Sequence, residues 1–145
     1  MNKEHFYPER FVESLSRSFP YTVTPVPNSL KQEFKRYDLT IFMISYKRVR
    51  NLEEILSSLT KQTSKVTIEL IIWNNNPTIS LKWLKEKFEN KFANLVIIES
   101  SFNYYCIIRS AISSLARGEY LMFLDDDVMP YEDFIEVYMN EIDRL

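Results

Sequence analysis

The sequence predicts an α/β domain of three layers, in which helices cover both faces of a mostly parallel sheet. Short apolar runs alternate four times with stretches whose apolar residues recur at helical spacing. This order is expected when parallel strands are joined by crossover helices. The first run, residues 39–44, is apolar on both faces apart from Thr40, which is typical of a strand that is buried on both sides.

The four strands are predicted at residues 39–44, 66–73, 95–98 and 120–124. The first helix is expected to begin at Asn51, because an asparagine N-cap with Glu54 three positions later approximates a capping box. Its inner face is formed by four aliphatic residues at helical spacing: Leu52, Ile55, Leu56 and Leu59.

The other helices are predicted from the same periodicity. Leu81, Leu84 and Phe88 indicate the second helix. The third is predicted over residues 104–117, with Gly118 as its C-terminal cap, and the last over residues 134–145.

Length and composition limit the class of protein. The chain has 145 residues, of which 46% are hydrophobic and 14% aromatic, enough for one folded domain. Prolines interrupt residues 1–37, which we interpret as a partly irregular leader before a domain at 38–145. The net charge of −2 favours neither nucleic acid nor an anionic membrane as a partner.

Two residue counts bear on location and on nucleotide binding. A single cysteine, Cys106, and the lack of an apolar signal or membrane segment predict a cytoplasmic protein, with peripheral membrane attachment left open. A single glycine, Gly118, excludes both a dinucleotide-binding glycine fingerprint and a Walker A loop. A bound nucleotide would therefore be held by side chains and metal.

Asp125, Asp126 and Asp127 follow directly after the fourth predicted strand. Adjacent carboxylates repel one another unless a cation lies among them, and Mg²⁺ or Mn²⁺ commonly shares such an oxygen-rich site with phosphates. A solvated acidic turn before Pro130 is the alternative. The residues 45–47 and the turn 74–77 also follow strands, and ligands bind at the carboxyl ends of parallel strands.

These segments resemble family-2-like glycosyltransferases of the GT-A fold over about residues 38–135. Residues 40–48 are similar to the family's first strand and loop, and Ile71 to Asn75 resembles its second strand end. Residues 116–127 are similar to the region that carries its DxD motif. The resemblance implies the nucleotide-sugar-binding half of such an enzyme, truncated after the DxD motif.

The resemblance also implies roles for individual residues. Asp127 would bind Mn²⁺ or Mg²⁺, and Asp125 would contact the donor ribose or an outer-sphere water, so that both belong to the metal site. The donor-binding set is Ser45, Tyr46, Lys47, Asn75, Arg109, Asp125 and Asp126. Alternatives from the residues themselves stay open, namely an Asx-turn for Asn75, packing for Ser45 and Tyr46, and a solvated loop for Lys47.

The sequence departs from the family in two places. The family's Asn-x-Gly before the third helix is Asn103-Tyr104-Tyr105 here. The acceptor-binding half, which carries the catalytic base in inverting members, would follow Leu145, so no catalytic residue is assigned. A homodimer or a partner chain covering the missing half is expected.

The predicted reaction transfers a sugar, with a UDP-sugar favoured as donor, to the hydroxyl of a saccharide, lipid-linked or protein acceptor. A non-catalytic remnant or a subunit of a split enzyme is one alternative. A second alternative is that residues Asp125-Asp126-Asp127-Val128 form the nucleophile motif of haloacid-dehalogenase-type phosphatases. In that family, however, the motif follows the first strand and not the fourth.

Overall fold

The computed structural model describes residues 36–144. The predicted leader therefore lies outside the described residues, apart from its last two, and Tyr37 already belongs to the first strand. Within residues 36–144, no helix combines the length and the apolar character that a membrane span requires.

Four parallel strands form one sheet in the order β3-β2-β1-β4. They are β1 at Tyr37–Ser45, β2 at Ile68–Asn74, β3 at Asn94–Glu99 and β4 at Gly118–Asp125. Each lies within two residues of its predicted bounds, so the strand prediction is confirmed. Because the chain moves outward from β1 to β3 and then returns to the far side of β1, the strand order reverses between β1 and β4.

The helices are α1 at Val49–Leu59, α2 at Lys82–Phe88, α3 at Ile108–Ile112 and α4 at Phe134–Ile142. The predicted N-cap Asn51 is wrong. The amide of Leu52 donates to the carbonyl of Arg48 at 3.0 Å, so the helix has already begun, and Arg48 is the N-cap residue without a side-chain cap. The last helix ends at Ile142 and not at the predicted residue 145.

The third helix is much shorter than predicted. Only residues 108–112 are α-helical, between 3₁₀ turns at Tyr105–Ile107 and Ser113–Leu115. Ser113 Oγ donates to the carbonyl of Ser110 and Ser114 Oγ to that of Ala111, at 2.9 and 2.7 Å. Serine hydroxyls compete in this way for backbone groups, which accounts for the tight second turn.

Gly118 is not a helix cap, and this prediction is wrong. It is the first residue of β4, and its φ is not positive. A Cβ at this position would lie 2.3 Å from the backbone nitrogen of Thr40. The glycine is needed because β4 approaches β1 closely here, and not because of its freedom to adopt a left-handed conformation.

The main core lies on one face of the sheet. Alternate β1 residues, Leu39, Ile41 and Met43, are buried there against residues of α1, α2 and α4. The opposite face buries Phe42, Ile71 and Trp73, and Ile108 of α3 is buried outside the main core cluster. The fold is therefore the predicted α/β class, with one thick and one thin helical layer.

A buried carboxylate joins the strands at the amino edge of the sheet. Glu69 of β2 is 1% exposed and accepts hydrogen bonds from Thr40 Oγ1 of β1 and Asn94 Nδ2 of β3, at 2.8 and 3.0 Å. The backbone amide and Nε of Arg117 donate to it at 2.8 and 2.9 Å, and Arg117 Nη2 lies 2.7 Å away. Thr40 Oγ1 in turn accepts from the amide of Gly118 at 2.7 Å.

This network predicts that Glu69→Gln destabilises the fold by about 3 kcal/mol. The substitution leaves the guanidinium of Arg117 without its charged partner and points an amide N–H₂ toward donors, and breaking a buried ion pair on one side is costly. Chemical denaturation with urea measures the loss. Glu119→Gln is the matched control, because Glu119 is exposed on β4. Equal urea midpoints for the two variants would contradict the role given to Glu69.

Candidate functional site

The candidate site lies at the carboxyl edge of the sheet, where the strand order reverses between β1 and β4. Ile44 of β1 pairs with Asp125 of β4, and Ser45 pairs with Asn74 of β2. The segments that follow these strands therefore meet at one edge. In open α/β sheets, ligands bind in the crevice at such a reversal.

The acidic triplet is paired with an arginine from the neighbouring loop. Arg48 Nη1 donates to Asp126 Oδ1 at 3.0 Å and to Asp127 Oδ2 at 2.8 Å. The hydrogen bond with Asp126, and then the charges of Asp126 and Asp127, raise the pKa of Arg48. The side chain of Asp127 is 52% exposed and that of Asp126 only 13%, so Asp127 is the more accessible of the two.

A second arginine pairs with the remaining carboxylate. Arg109 Nη2, in α3, contacts Asp125 Oδ1. The guanidinium carbon of Arg109 also lies 5.8 Å from the ring centroid of Phe123, which packs edge-on against Phe42 at 5.7 Å. The structure thus places Arg109, one of the predicted donor-binding residues, at the carboxyl edge of the sheet beside the triplet.

The side chain of Asn75 holds the loop that precedes α3. Its Oδ1 accepts hydrogen bonds from Trp73 Nε1 at 2.9 Å and from the amide of Tyr104 at 3.1 Å. Its Nδ2 donates to the carbonyl of Tyr105 at 3.0 Å. Both oxygen lone pairs are then used, and one amide hydrogen remains for another partner.

Asn74 and Asn76 form the turn after β2. The Oδ1 of Asn74 accepts from the amide of Asn76 at 3.0 Å, and the Oδ1 of Asn76 accepts from the amide of Thr78 at 3.0 Å. Asn74 Nδ2 donates to the carbonyl of Ile79 at 2.5 Å. The Asx-turns thus belong to the two asparagines that flank Asn75.

The residues after β1 differ in accessibility. Ser45 is 1% exposed, and its carbonyl accepts the amide of Asn75 at 2.7 Å. Tyr46 is 40% exposed, and Lys47 Nζ lies 5.2 Å from the centroid of its ring. Tyr46 and Lys47 therefore face solvent at this edge, whereas Ser45 contributes mainly to packing.

Tyr105 adopts a backbone conformation that disfavours side chains. Its φ is 53°, in the left-handed region, where a Cβ is strained. The amide of Tyr105 donates to Asn103 Oδ1 at 2.9 Å, and its carbonyl accepts from Asn75. The hydrogen bonds of the loop thus impose at Tyr105 the conformation that a glycine would adopt more easily.

The triplet offers carboxylate oxygens, which are the ligands that a hard divalent cation prefers. The side chains of Asp125 and Asp127 are 57% and 52% exposed, and their oxygens are already in contact with two guanidinium groups. Within residues 36–144, no group of three or more histidine, cysteine, aspartate or glutamate side chains is arranged to hold a metal. Phosphate and water would have to complete the coordination of any ion held here.

Sequence reasoning missed two groups. Arg48 is not among the predicted site residues, because only the pairing of β1 with β4 brings it to the triplet. Glu69 was read as part of an apolar strand. A lone glutamate within an otherwise buried strand was the available signal that a cationic partner such as Arg117 must lie nearby.

Comparison with known proteins gives one family match. The model of the family described as glycosyl transferase family 2 matches residues 40–145. Among curated proteins, chondroitin synthase from Pasteurella multocida (strain Pm70) is 21% identical over an alignment of 151 residues. The match covers 92% of this chain and 16% of that protein.

Solved structures share the fold. TarS of S. aureus, residues 1–349 in complex with UDP, superposes with a TM-score of 0.64 at 24% identity, covering 74% of this chain and 32% of that one. Mannosyltransferase PcManGT from Pyrobaculum calidifontis, in complex with GDP-Man and Mn²⁺, has a TM-score of 0.52 at 18% identity, with 83% and 35% covered. The chain thus spans about a third or less of each relative's length.

The left-handed conformation of Tyr105 predicts that glycine is more stabilising than alanine at position 105, the reverse of the usual order. Because only glycine lacks the strained Cβ, Tyr105→Gly should be more stable than Tyr105→Ala by about 1 kcal/mol, measured by urea denaturation. Both variants remove the same exposed ring, so their difference isolates the backbone.

Ile107 supplies the control, since it is exposed in the same turn but has an ordinary φ of −60°. There the alanine variant should be the more stable of the pair. If alanine is also preferred over glycine at position 105, the strain assigned to Tyr105 does not exist.

Proposed function

Because the chain belongs to glycosyl transferase family 2, we propose that it forms the donor-binding half of an enzyme that transfers a sugar from a nucleoside diphosphate to an acceptor hydroxyl. The observation that carries the proposal is the exposed pair Asp125 and Asp127 at the reversal of strand order, beside Arg48 and Arg109. Family membership argues against the phosphatase interpretation of the same aspartates, which follow the fourth strand of this sheet and not the first.

A divalent cation, Mn²⁺ or Mg²⁺, is proposed as the cofactor. Asp127 would bind it, and Asp125 would contact the donor ribose or a water of the ion. Such an ion, when bound, stabilises the negative charge that develops on the departing diphosphate. Mn²⁺ is present in the PcManGT complex, and that observation supports a divalent ion here without selecting between the two.

The nucleoside is proposed to lie over the loops that follow β1 and β2. Tyr46, which is 40% exposed, offers a stacking face, and Lys47 adds positive charge near the phosphates. Ser45 would support this wall from beneath. Asn75 is 1% exposed, and its remaining amide hydrogen would donate to a carbonyl of the base. Uracil offers two such carbonyls, and a UDP-sugar is the proposed donor.

The acceptor is proposed to be a saccharide, a lipid-linked group or a protein. No residue of this chain is assigned as the base that deprotonates its hydroxyl. A further segment, a second copy or a partner chain would supply the acceptor side. Exposed apolar residues that follow the triplet offer a surface for it, among them Val128, Met129 and Tyr131.

The first test is thermal unfolding with UDP, GDP and their sugars, in the presence and absence of Mn²⁺. A ligand at ~100 times its Kd stabilises the folded state by ~2.7 kcal/mol. We expect the largest shift with UDP and Mn²⁺ together, and Asp127→Asn should abolish the part that depends on the metal. Glu119→Gln, at the opposite end of β4, removes an equal charge and should respond like the wild type.

Three outcomes would count against the proposal. A nucleotide shift that is insensitive to Mn²⁺ contradicts the metal, and a larger shift with GDP contradicts the preference for uracil. The absence of a shift with any nucleotide contradicts donor binding. Donor binding without sugar transfer or donor hydrolysis would identify the chain as a binding subunit rather than a catalyst.

A further inference from the structure

The three carboxylates of the triplet each have an arginine partner. Arg48 bonds to Asp126 and Asp127, and Arg109 contacts Asp125. The local charge of −3 is thereby reduced by two cations. These ion pairs are partly solvent-exposed, with the side chain of Arg48 53% and that of Arg109 39% exposed. Exposed ion pairs are weak, so they can exchange for other partners.

A divalent cation meets opposition in this arrangement. It would compete with Arg48 for the oxygen of Asp127, and the nearby guanidinium groups would repel it. A diphosphate reduces both the competition and the repulsion, because its oxygens bind a metal and also accept hydrogen bonds from a displaced guanidinium. The same side chain therefore opposes metal binding alone and favours binding of the metal and the diphosphate together.

We propose that Arg48 couples metal binding to donor binding, as the counterion of Asp126 and Asp127 in the free protein and of the donor diphosphate in the complex. This inference rests on the proposed function. It makes Arg48 a residue that couples two ligands, in addition to any part it plays in donor affinity. By linkage, the factor by which the diphosphate raises metal affinity equals the factor by which the metal raises diphosphate affinity.

The chain offers a matched control for Arg48. Arg50 lies two residues further on, and its side chain is 91% exposed. It pairs with Glu54 within α1, at 3.4 Å, and not with the triplet. Arg48→Gln and Arg50→Gln therefore remove the same charge from nearly the same place, and only the first frees the carboxylates of Asp126 and Asp127.

The experiment measures Mn²⁺ binding by electron paramagnetic resonance, without nucleotide and with saturating UDP. Without nucleotide, Arg48→Gln should bind Mn²⁺ roughly threefold to tenfold more tightly than the wild type and Arg50→Gln, as expected for the loss of two partly exposed ion pairs. With UDP, the gain in Mn²⁺ affinity should be smaller in Arg48→Gln than in the wild type by a similar factor.

Two results would overturn the inference. The first is equal Mn²⁺ affinity of the two variants without nucleotide, including the case in which neither binds measurably. The second is tighter binding by Arg48→Gln with an unchanged effect of UDP, since that would reflect only the removal of a charge. Failure of the proposed function is seen separately, as a wild-type protein that UDP neither stabilises nor makes more responsive to Mn²⁺.

Discussion

The buried carboxylate of Glu69 is the interaction on which the remaining structure depends. It lies at the amino edge of the sheet with 1% exposure and takes donors from Thr40 of β1, Asn94 of β3 and Arg117, which directly precedes β4. A carboxylate in this position is tolerated only when its hydrogen bonds are all supplied. It therefore specifies which strands are neighbours and in what register, and so where their carboxyl ends meet.

The two edges of the sheet use acidic residues in opposite ways. At the amino edge, Glu69 is buried and its arginine partner is held by three nitrogens, so the pair contributes to the specificity of the fold. At the carboxyl edge, Asp125 and Asp127 are exposed and their arginines reach them from separate elements. Pairs of the second kind are weak enough to be replaced, which suits a site that must bind and release a charged ligand.

The loop between β3 and α3 combines structural and functional demands. Asn75 holds it through two hydrogen bonds, to the amide of Tyr104 and the carbonyl of Tyr105, and this leaves Tyr105 in a left-handed conformation that its Cβ disfavours. Strained residues persist where the surrounding contacts over-determine them, often beside functional sites. Here the loop carries α3, and with it Arg109, to the acidic triplet. The position of that arginine thus depends on an asparagine that follows β2.

Apolar runs and their alternation with helical spacing determined the fold class, the four strands and the position of the acidic triplet, because burial imposes a period on the sequence itself. The resemblance of residues 38–135 to a known family added the proposed roles of the site residues. The local signals failed at Gly118, which is required by its close approach to Thr40, 78 residues away. They also failed in the third helix, where Ser113 and Ser114 bond to carbonyls of the preceding turn and the α-helix ends at Ile112. Strand order decided the rest, since only the pairing of β1 with β4 brings Arg48 within 3.0 Å of two aspartates that lie 78 and 79 residues away in the chain. Such a contact depends on spatial neighbours, which the one-dimensional pattern does not encode.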